Sequence, residues 1–175
     1  MRVISGKARG HKLIAPAGLN TRPTGDRMKE DLFNILGGAA LKGANFLDLY
    51  CGSGAIGIEA LSRGANSATF VDESKEAMAA TATNLRKTKL YEHAKLLQMP
   101  VETAFDVLGM VKFNIIFADP PYKDAEIPNI LHLLDKNGIL ILECPSDFKI
   151  QEPTGLNIYR QKKYKQMQFI FWEQI

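Results

Sequence analysis

The chain has 175 residues, 46% of them hydrophobic and 23% charged, with a formal net charge of +3. That size suits one domain with a proper core, and the balance is that of a soluble globular protein rather than a disordered or membrane-embedded one. Met1-Arg2-Val3-Ile4-Ser5-Gly6-Lys7 lacks the apolar stretch of a signal peptide, and no apolar run approaches the ~18 residues of a membrane span. Cys51 and Cys144 make neither a disulfide framework nor a metal cluster, so reduced thiols, a cytoplasmic location and no metal are expected.

The charge is unevenly spread. Residues 1–30 carry Arg2, Lys7, Arg9, Lys12, Arg22, Arg27 and Lys29 against Asp26 and Glu30, a local balance of +5, so the remaining residues sum to −2. A basic arm on a slightly acidic body suggests a polyanion held at one end. Within the arm, residues 2–5 and 11–15 are β-prone and flank the turn-rich segment Gly6 to Gly10, which predicts a small hairpin displaying its basic side chains. A helix is expected from Thr24, an N-cap with Asp26 in the first turn, to Gly37-Gly38; Met28, Leu32, Ile35 and Leu36 share one of its faces.

From Asn45 onward, short apolar strands alternate with helices. The pattern predicts strands at 45–50, 67–72, 94–98, 113–119 and 139–143, and helices at 54–63, 74–88, 101–110 and 125–135. Strict alternation with apolar strands implies a parallel sheet covered on both faces. Residues 157–163 and 166–173 read as an antiparallel pair turning at Tyr164-Lys165.

The stretch Asp48-Leu49-Tyr50-Cys51-Gly52-Ser53-Gly54-Ala55-Ile56-Gly57 ends one strand and opens a helix. Gly52, Gly54 and Gly57 spell G-x-G-x-x-G, and Asp72 ends the next strand, a combination open to any nucleoside cofactor. Asp48 tilts the choice. A carboxylate four residues before the first glycine suits the ammonium end of a methionine moiety and repels a pyrophosphate. Asp72 accepts from ribose hydroxyls with either cofactor.

The segment Phe113 to Tyr122 runs an apolar strand into Asp119-Pro120-Pro121-Tyr122, a loop facing the same crevice. An amino group conjugated to a base is a poor nucleophile because its lone pair is delocalised. Asp119 can accept one hydrogen bond from it and the Pro120 carbonyl another, favouring a pyramidal nitrogen and the charge that develops on methylation. Pro120 and Pro121 stiffen the loop so that the carbonyl is aimed, and Tyr122 offers a flat face for stacking a base.

Asp48-x-x-x-Gly52-x-Gly54 with Asp119-Pro120-Pro121-Tyr122 resembles the class I methyltransferases that act on amino nitrogens. More narrowly, Gly6-x-x-Arg9-Gly10-x-x-Leu13, Arg22-Pro23-Thr24-x-Asp26-Arg27-x-x-Glu30-x-Leu32-Phe33-Asn34-x-Leu36 and Glu59-Ala60-Leu61-Ser62-Arg63-Gly64-Ala65 are similar to the bacterial 16S ribosomal RNA guanine-N2 methyltransferases of the guanine-966 type. The likeness covers nearly the whole chain. It implies an α/β Rossmann-like fold, with a seven-stranded, mostly parallel sheet whose last strand is antiparallel, plus the small N-terminal hairpin and helix. Residues 1–38 would form an RNA-binding extension and 39–175 the methyltransferase domain.

The resemblance further implies S-adenosylmethionine as donor and a 16S rRNA guanine as acceptor, in free rRNA or in a partly or fully assembled small subunit. The cofactor would be held by Asp48, Gly52, Ser53, Gly54, Asp72, Glu73 and Asp119, with Thr24 to Arg27 closing the pocket. The RNA would be held by Arg2, Lys7, Arg9, Lys12, Arg22 and Arg27. The chain would act as a monomer without a membrane. Many such enzymes read the adenine with an Asp or Asn after the third strand; here Pro100 stands there, leaving adenine recognition unassigned.

Five alternatives are weighed. Adenine-N6 methylation of DNA or RNA shares the Asp-Pro-Pro-Tyr chemistry, but only 46 residues separate Asp72 from Asp119, no room for a module that reads duplex sequence and flips a base. Cys144-Pro145 could suggest a covalent pyrimidine-C5 enzyme, but Cys144 ends a strand and reads as structural. Protein glutamine methylation goes with Asn at the first motif position and leaves the basic arm unexplained. A nicotinamide oxidoreductase would use the glycines but has no evident hydride-site base, and a non-catalytic RNA-binding module would not explain Asp119. His11 and His93 read as surface or RNA-contacting residues, and His132 as the outward face of a helix.

Overall fold

The computed structural model describes residues 1–18, 25–121, 130–149 and 153–174. Its centre is a seven-stranded sheet of β1 (Asn45–Leu49), β2 (Ser67–Asp72), β3 (Ala94–Gln98), β4 (Phe113–Ala118), β5 (Leu134–Pro145), β6 (Leu156–Lys163) and β7 (Met167–Gln174), in the order β3-β2-β1-β4-β5-β7-β6. β1 to β5 run parallel, and β7 is antiparallel to both β5 and β6. Strands one to four fall within a residue of their predicted spans; β1, β2 and β4 are buried on both faces, while β3, at the sheet edge, keeps Lys95 and Gln98 exposed. Phe46, Leu47 and Leu49 in β1 and Ile115, Ile116 and Phe117 in β4 are buried whichever way they point, as a doubly covered parallel sheet requires.

α2 (Ala55–Ser62), α3 (Lys75–Lys87) and α4 (Val101–Leu108) follow β1, β2 and β3. Ser74 caps α3 by accepting from the Ala77 amide at 3.2 Å, satisfying one of the orphan amides of the first turn. The crossover predicted as a helix over 125–135 ends differently. Residues 125–129 lie outside the described residues, Leu131–Leu133 form one 3-10 turn, and β5 starts at Leu134, well before the expected 139. Its first part departs from ideal pairing: the register with β4 shifts between Phe113 and Ile115, and Asn137 adopts φ +65°. His132 is exposed, as expected, but on that turn rather than on a helix.

The described part of the arm is bound to the body. Its two limbs meet at one bridge, Arg2 with Lys12, supported by Val3 N–H to His11 O at 3.0 Å and Gly10 N–H to Val3 O at 2.9 Å. Val3, Ala8 and Leu13 point inward and join the core around Phe33, Phe46 and Leu61. Gly6 is wedged against the end of α2: a Cβ there would lie 1.8 Å from the Ser62 carbonyl oxygen, and φ is +81°, so only glycine fits. α1 (Asp26–Leu41) begins after Gly25 rather than at Thr24, which lies outside the described residues. Gly37, at φ 72° and ψ 156°, breaks it where the sequence predicts an end, but a further helical turn carries the chain to Leu41.

Candidate active site

In the strand order the winding reverses between β1 and β4, which opens a crevice at the carboxyl ends of the strands. The loops after β1, β2 and β4 meet there. Leu49 is in register with Val71 and with Ala118, Cys51 N–H donates to Val71 O at 3.1 Å, and Asp119 N–H donates to Leu49 O at 3.4 Å. The three carboxylates singled out in the sequence, Asp48, Asp72 and Asp119, are thereby brought to one place. Mutual repulsion is part of what raises the Asp48 pKa, to which both others contribute.

Two of the carboxylates brace the glycine loop. Asp48 is buried and accepts from the Gly57 amide at 2.8 Å. A Cβ on Gly57 would stand 2.4 Å from the Phe70 ring and 3.1 Å from that carboxylate oxygen, so glycine is what lets the helix seat on the acid. Asp72 accepts from the Gly52 amide and the Ser74 amide, both at 2.9 Å. Burial pushes the Asp48 carboxyl well above its ordinary range, with the Gly57 hydrogen bond opposing. Asp119, half-buried, is pushed up to about 7 by desolvation. Removing a carboxylate from water without a counter-charge disfavours its ionised form. A crevice of this kind favours a cationic ligand.

Other predicted cofactor residues sit around this loop. Ser53 is half-buried with its hydroxyl 3.3 Å from the Met1 sulfur, Gly54 caps α2 in the left-handed conformation, and Glu73 is exposed beside Asp72. Pro120 is buried and Pro121 exposed; Tyr122, like Thr24 and Arg22, lies outside the described residues. Tyr50 carries no sequence signal, yet adopts φ +58° between β1 and the glycines, a conformation costly for a bulky side chain and typical of functional loops. Its hydroxyl donates to Glu102 at 3.5 Å. Cys144 is buried, and burial pushes its thiol up to about 12, which disfavours the thiolate a nucleophile needs.

Of the basic residues, Arg2, Lys7, Arg9, Lys12 and Arg27 are exposed on the arm and α1. Lys29 is a correction. It is wholly buried, 3.3 Å from Glu59 and 2.5 Å from the Arg2 carbonyl, and so is unavailable to a polyanion. The turn of β6 and β7 also reaches α1: Tyr164 donates to Asp31 at 2.9 Å and Lys162 lies 4.0 Å from the same carboxylate.

Sheet order, glycine loop and acidic crevice together define a class I methyltransferase fold. The family model described as conserved hypothetical protein 95 matches residues 1–173. YlbH of Bacillus subtilis, which bears a provisional rRNA methyltransferase name, is 37% identical over 171 residues, covering 93% of this chain and 92% of that protein. Ribosomal RNA small subunit methyltransferase D of Escherichia coli K12 is 34% identical over 156 residues, 89% of this chain and 77% of that protein. A solved structure from Escherichia coli, titled provisionally as the methyltransferase yhhF, superposes with a TM-score of 0.84 at 30% identity, covering 99% of this chain and 97% of its own. The chain belongs to the family of ribosomal RNA small subunit methyltransferase D.

Proposed function

We propose that the chain transfers a methyl group from S-adenosylmethionine to the N2 amino group of a guanine in 16S rRNA. The observation that carries this reading is the convergence of Asp48, Asp72 and Asp119 on one half-desolvated crevice. Such a crevice fits a donor bearing an ammonium and a sulfonium and opposes the diphosphate of a nicotinamide cofactor. When bound, the cofactor supplies an electrophilic methyl group.

The residues divide the remaining work. Asp72, beside the Gly52 amide, meets the ribose hydroxyls; Asp48 holds the glycine loop in place and lends negative potential beneath the ammonium. Ser53, Gly54, Glu73 and Thr24 complete the pocket. Asp119 accepts a hydrogen bond from the guanine amino group, and its affinity for a proton, near 7, suits it to take the proton that the nitrogen sheds. The Pro120 carbonyl accepts the second N–H, Pro121 keeps that carbonyl aimed, and the Tyr122 ring stacks on the base. Arg2, Lys7, Arg9, Lys12, Arg22 and Arg27, on the extension 1–38, hold rRNA phosphates beside the domain 39–175. The protein acts as a monomer on rRNA, free or in an assembling small subunit.

Nucleoside mass spectrometry of 16S rRNA from cells with and without the gene tests the reading. One N2-methylguanosine should vanish on deletion and return when purified protein and S-adenosylmethionine are added. Loss of N6-methyladenosine instead would transfer the assignment to adenine chemistry.

A further inference from the structure

Between the arm and α1 lies a cleft of about 400 Å³ lined by Arg2, Ser5, Arg9, Glu30, Asn34 and Arg63 among others. It is separate from the crevice. Arg63 follows α2 nine residues after Gly54, about 13 Å along a helix at ~1.5 Å per residue. Its near end lies close to the crevice, since Met1, next to Arg2, touches Ser53 of the glycine loop. Arg63 is held in position: its Nε donates to Glu59 at 2.7 Å and its guanidinium lies 4.9 Å over the Phe33 ring. Lys29, buried against the same carboxylate, offsets the charge of Glu59, so the Arg63 charge remains for a ligand. Arg2 is tethered to Asp26 at 3.1 Å, and no described side chain pairs with the exposed Arg9.

We propose that this cleft seats one nucleotide of the rRNA strand, a neighbour of the modified guanine, gripped by its phosphate on Arg9 and Arg63. This rests on the reading that the chain acts on rRNA. A guanidinium fixed by packing offers its remaining N–H groups as a fork matched to phosphate oxygens. A phosphate alone would leave much of the volume empty, whereas 400 Å³ falls within the range of sites that hold small organic ligands. Glu30 and Asn34, one turn apart on α1, line the same cleft as polar groups for a sugar or base edge, and Glu30 keeps the anion on the arginine side. Arg63 is thus a positioning residue that the charge pattern of residues 1–30 does not reveal.

The test measures binding of a 16S rRNA transcript between 50 and 200 mM salt, with S-adenosylhomocysteine affinity and methyl transfer determined in parallel. Arg9→Gln should lower the log–log salt slope by about 0.7–0.9. Asn34→Asp, on an exposed position with no side-chain partner among the described residues, should weaken RNA binding by about fivefold or more through charge repulsion. Both should raise the KM for RNA while leaving the KM for S-adenosylmethionine unchanged, and Lys136→Gln, a distant exposed lysine, should change neither. Arg63→Lys, which keeps the charge beside Glu59 but loses the fork, should raise the KM for RNA while leaving the salt slope nearly unchanged. If Arg9→Gln and Asn34→Asp bind RNA with wild-type affinity and slope while methyl transfer proceeds, the cleft is no RNA site and the proposed reaction stands. If both variants lose binding but the wild type methylates no rRNA, the cleft stands and the reaction falls.

Discussion

Glu59 should be the residue on which attachment of the arm depends. Its carboxylate is wholly buried and takes four donors: Ile4 N–H at 2.8 Å and Lys29 Nζ at 3.3 Å on one oxygen, Ser5 N–H at 2.9 Å and Arg63 Nε at 2.7 Å on the other. In Glu59→Gln the volume is kept, but whichever way the amide turns, its NH2 faces one backbone N–H and one cationic donor. An unsatisfied buried donor costs ~1–3 kcal/mol, and breaking a buried ion pair from one side costs ~3–5 kcal/mol. Burial already lowers the Lys29 pKa, so that lysine can shed its proton and limit the loss. A total of about 3–5 kcal/mol follows, or a fall of roughly 6–20 °C in Tm at ~2–4 °C per kcal/mol for a chain of this size. Scanning calorimetry reads the fall, and limited trypsin digestion should show new cleavage at Arg2, Lys7, Arg9 and Lys12. Lys29→Met combined with Glu59→Gln should cost less than the sum of the two singles, because they share one network. A Tm loss below about 2 °C, with the arm still protected, would refute the reasoning.

Asp119→Asn should reduce methyl transfer by at least about 10²-fold and leave S-adenosylhomocysteine affinity nearly unchanged by calorimetry. The same substitution should stabilise the ligand-free protein. The Asp119 pKa is raised from 3.8 to about 7, so its cost is absent below the unfolded value and complete above the folded one. Stability should therefore fall between pH 4 and 7 in the wild type, and less so in the variant; identical pH profiles would remove the desolvation account. Gly57→Ala should cost about 1–3 kcal/mol through the clash with Phe70 and weaken S-adenosylhomocysteine binding; wild-type affinity would show that the Asp48 brace is dispensable. Tyr122→Phe should turn over nearly normally while Tyr122→Ala raises the KM for RNA, and equal behaviour of the two would deny the stacking role.

What the sequence discloses here follows the range of the forces involved. β1, β2 and β4 were legible because burial on both faces leaves a mostly apolar run, a local signal; β3, at the sheet edge with Lys95 and Gln98 exposed, was placed by the alternation of strands with helices. β5 was not: Ile130, Leu131, Leu133 and Leu134 mimic a helical face, and a register shift near Phe113 with a left-handed Asn137 gives no periodic trace. In the site, the chemistry was legible and the scaffolding was not. Asp48, Asp72 and Asp119 stand at strand ends where an acid has a definite task, but the bond from Gly57 to Asp48, the left-handed Tyr50 and the buried Lys29 depend on partners that no local pattern specifies. Lys29 is the instructive case. It counts with the arm's positive charge, yet its ammonium is used up inside the molecule by Glu59, thirty residues away.

The bond from Tyr164 to Asp31 joins segments 133 residues apart. During synthesis α1 leaves the ribosome early, while the turn that braces it is made only after the whole parallel sheet. Arm and α1 therefore lack this support until β6 and β7 are in place. A nascent chain can assemble much of its cofactor crevice from β1, β2 and β4 before the face proposed to hold RNA is complete. For a protein whose proposed substrate is the RNA of the translating machine itself, that order of assembly delays a firm grip until the enzyme is finished.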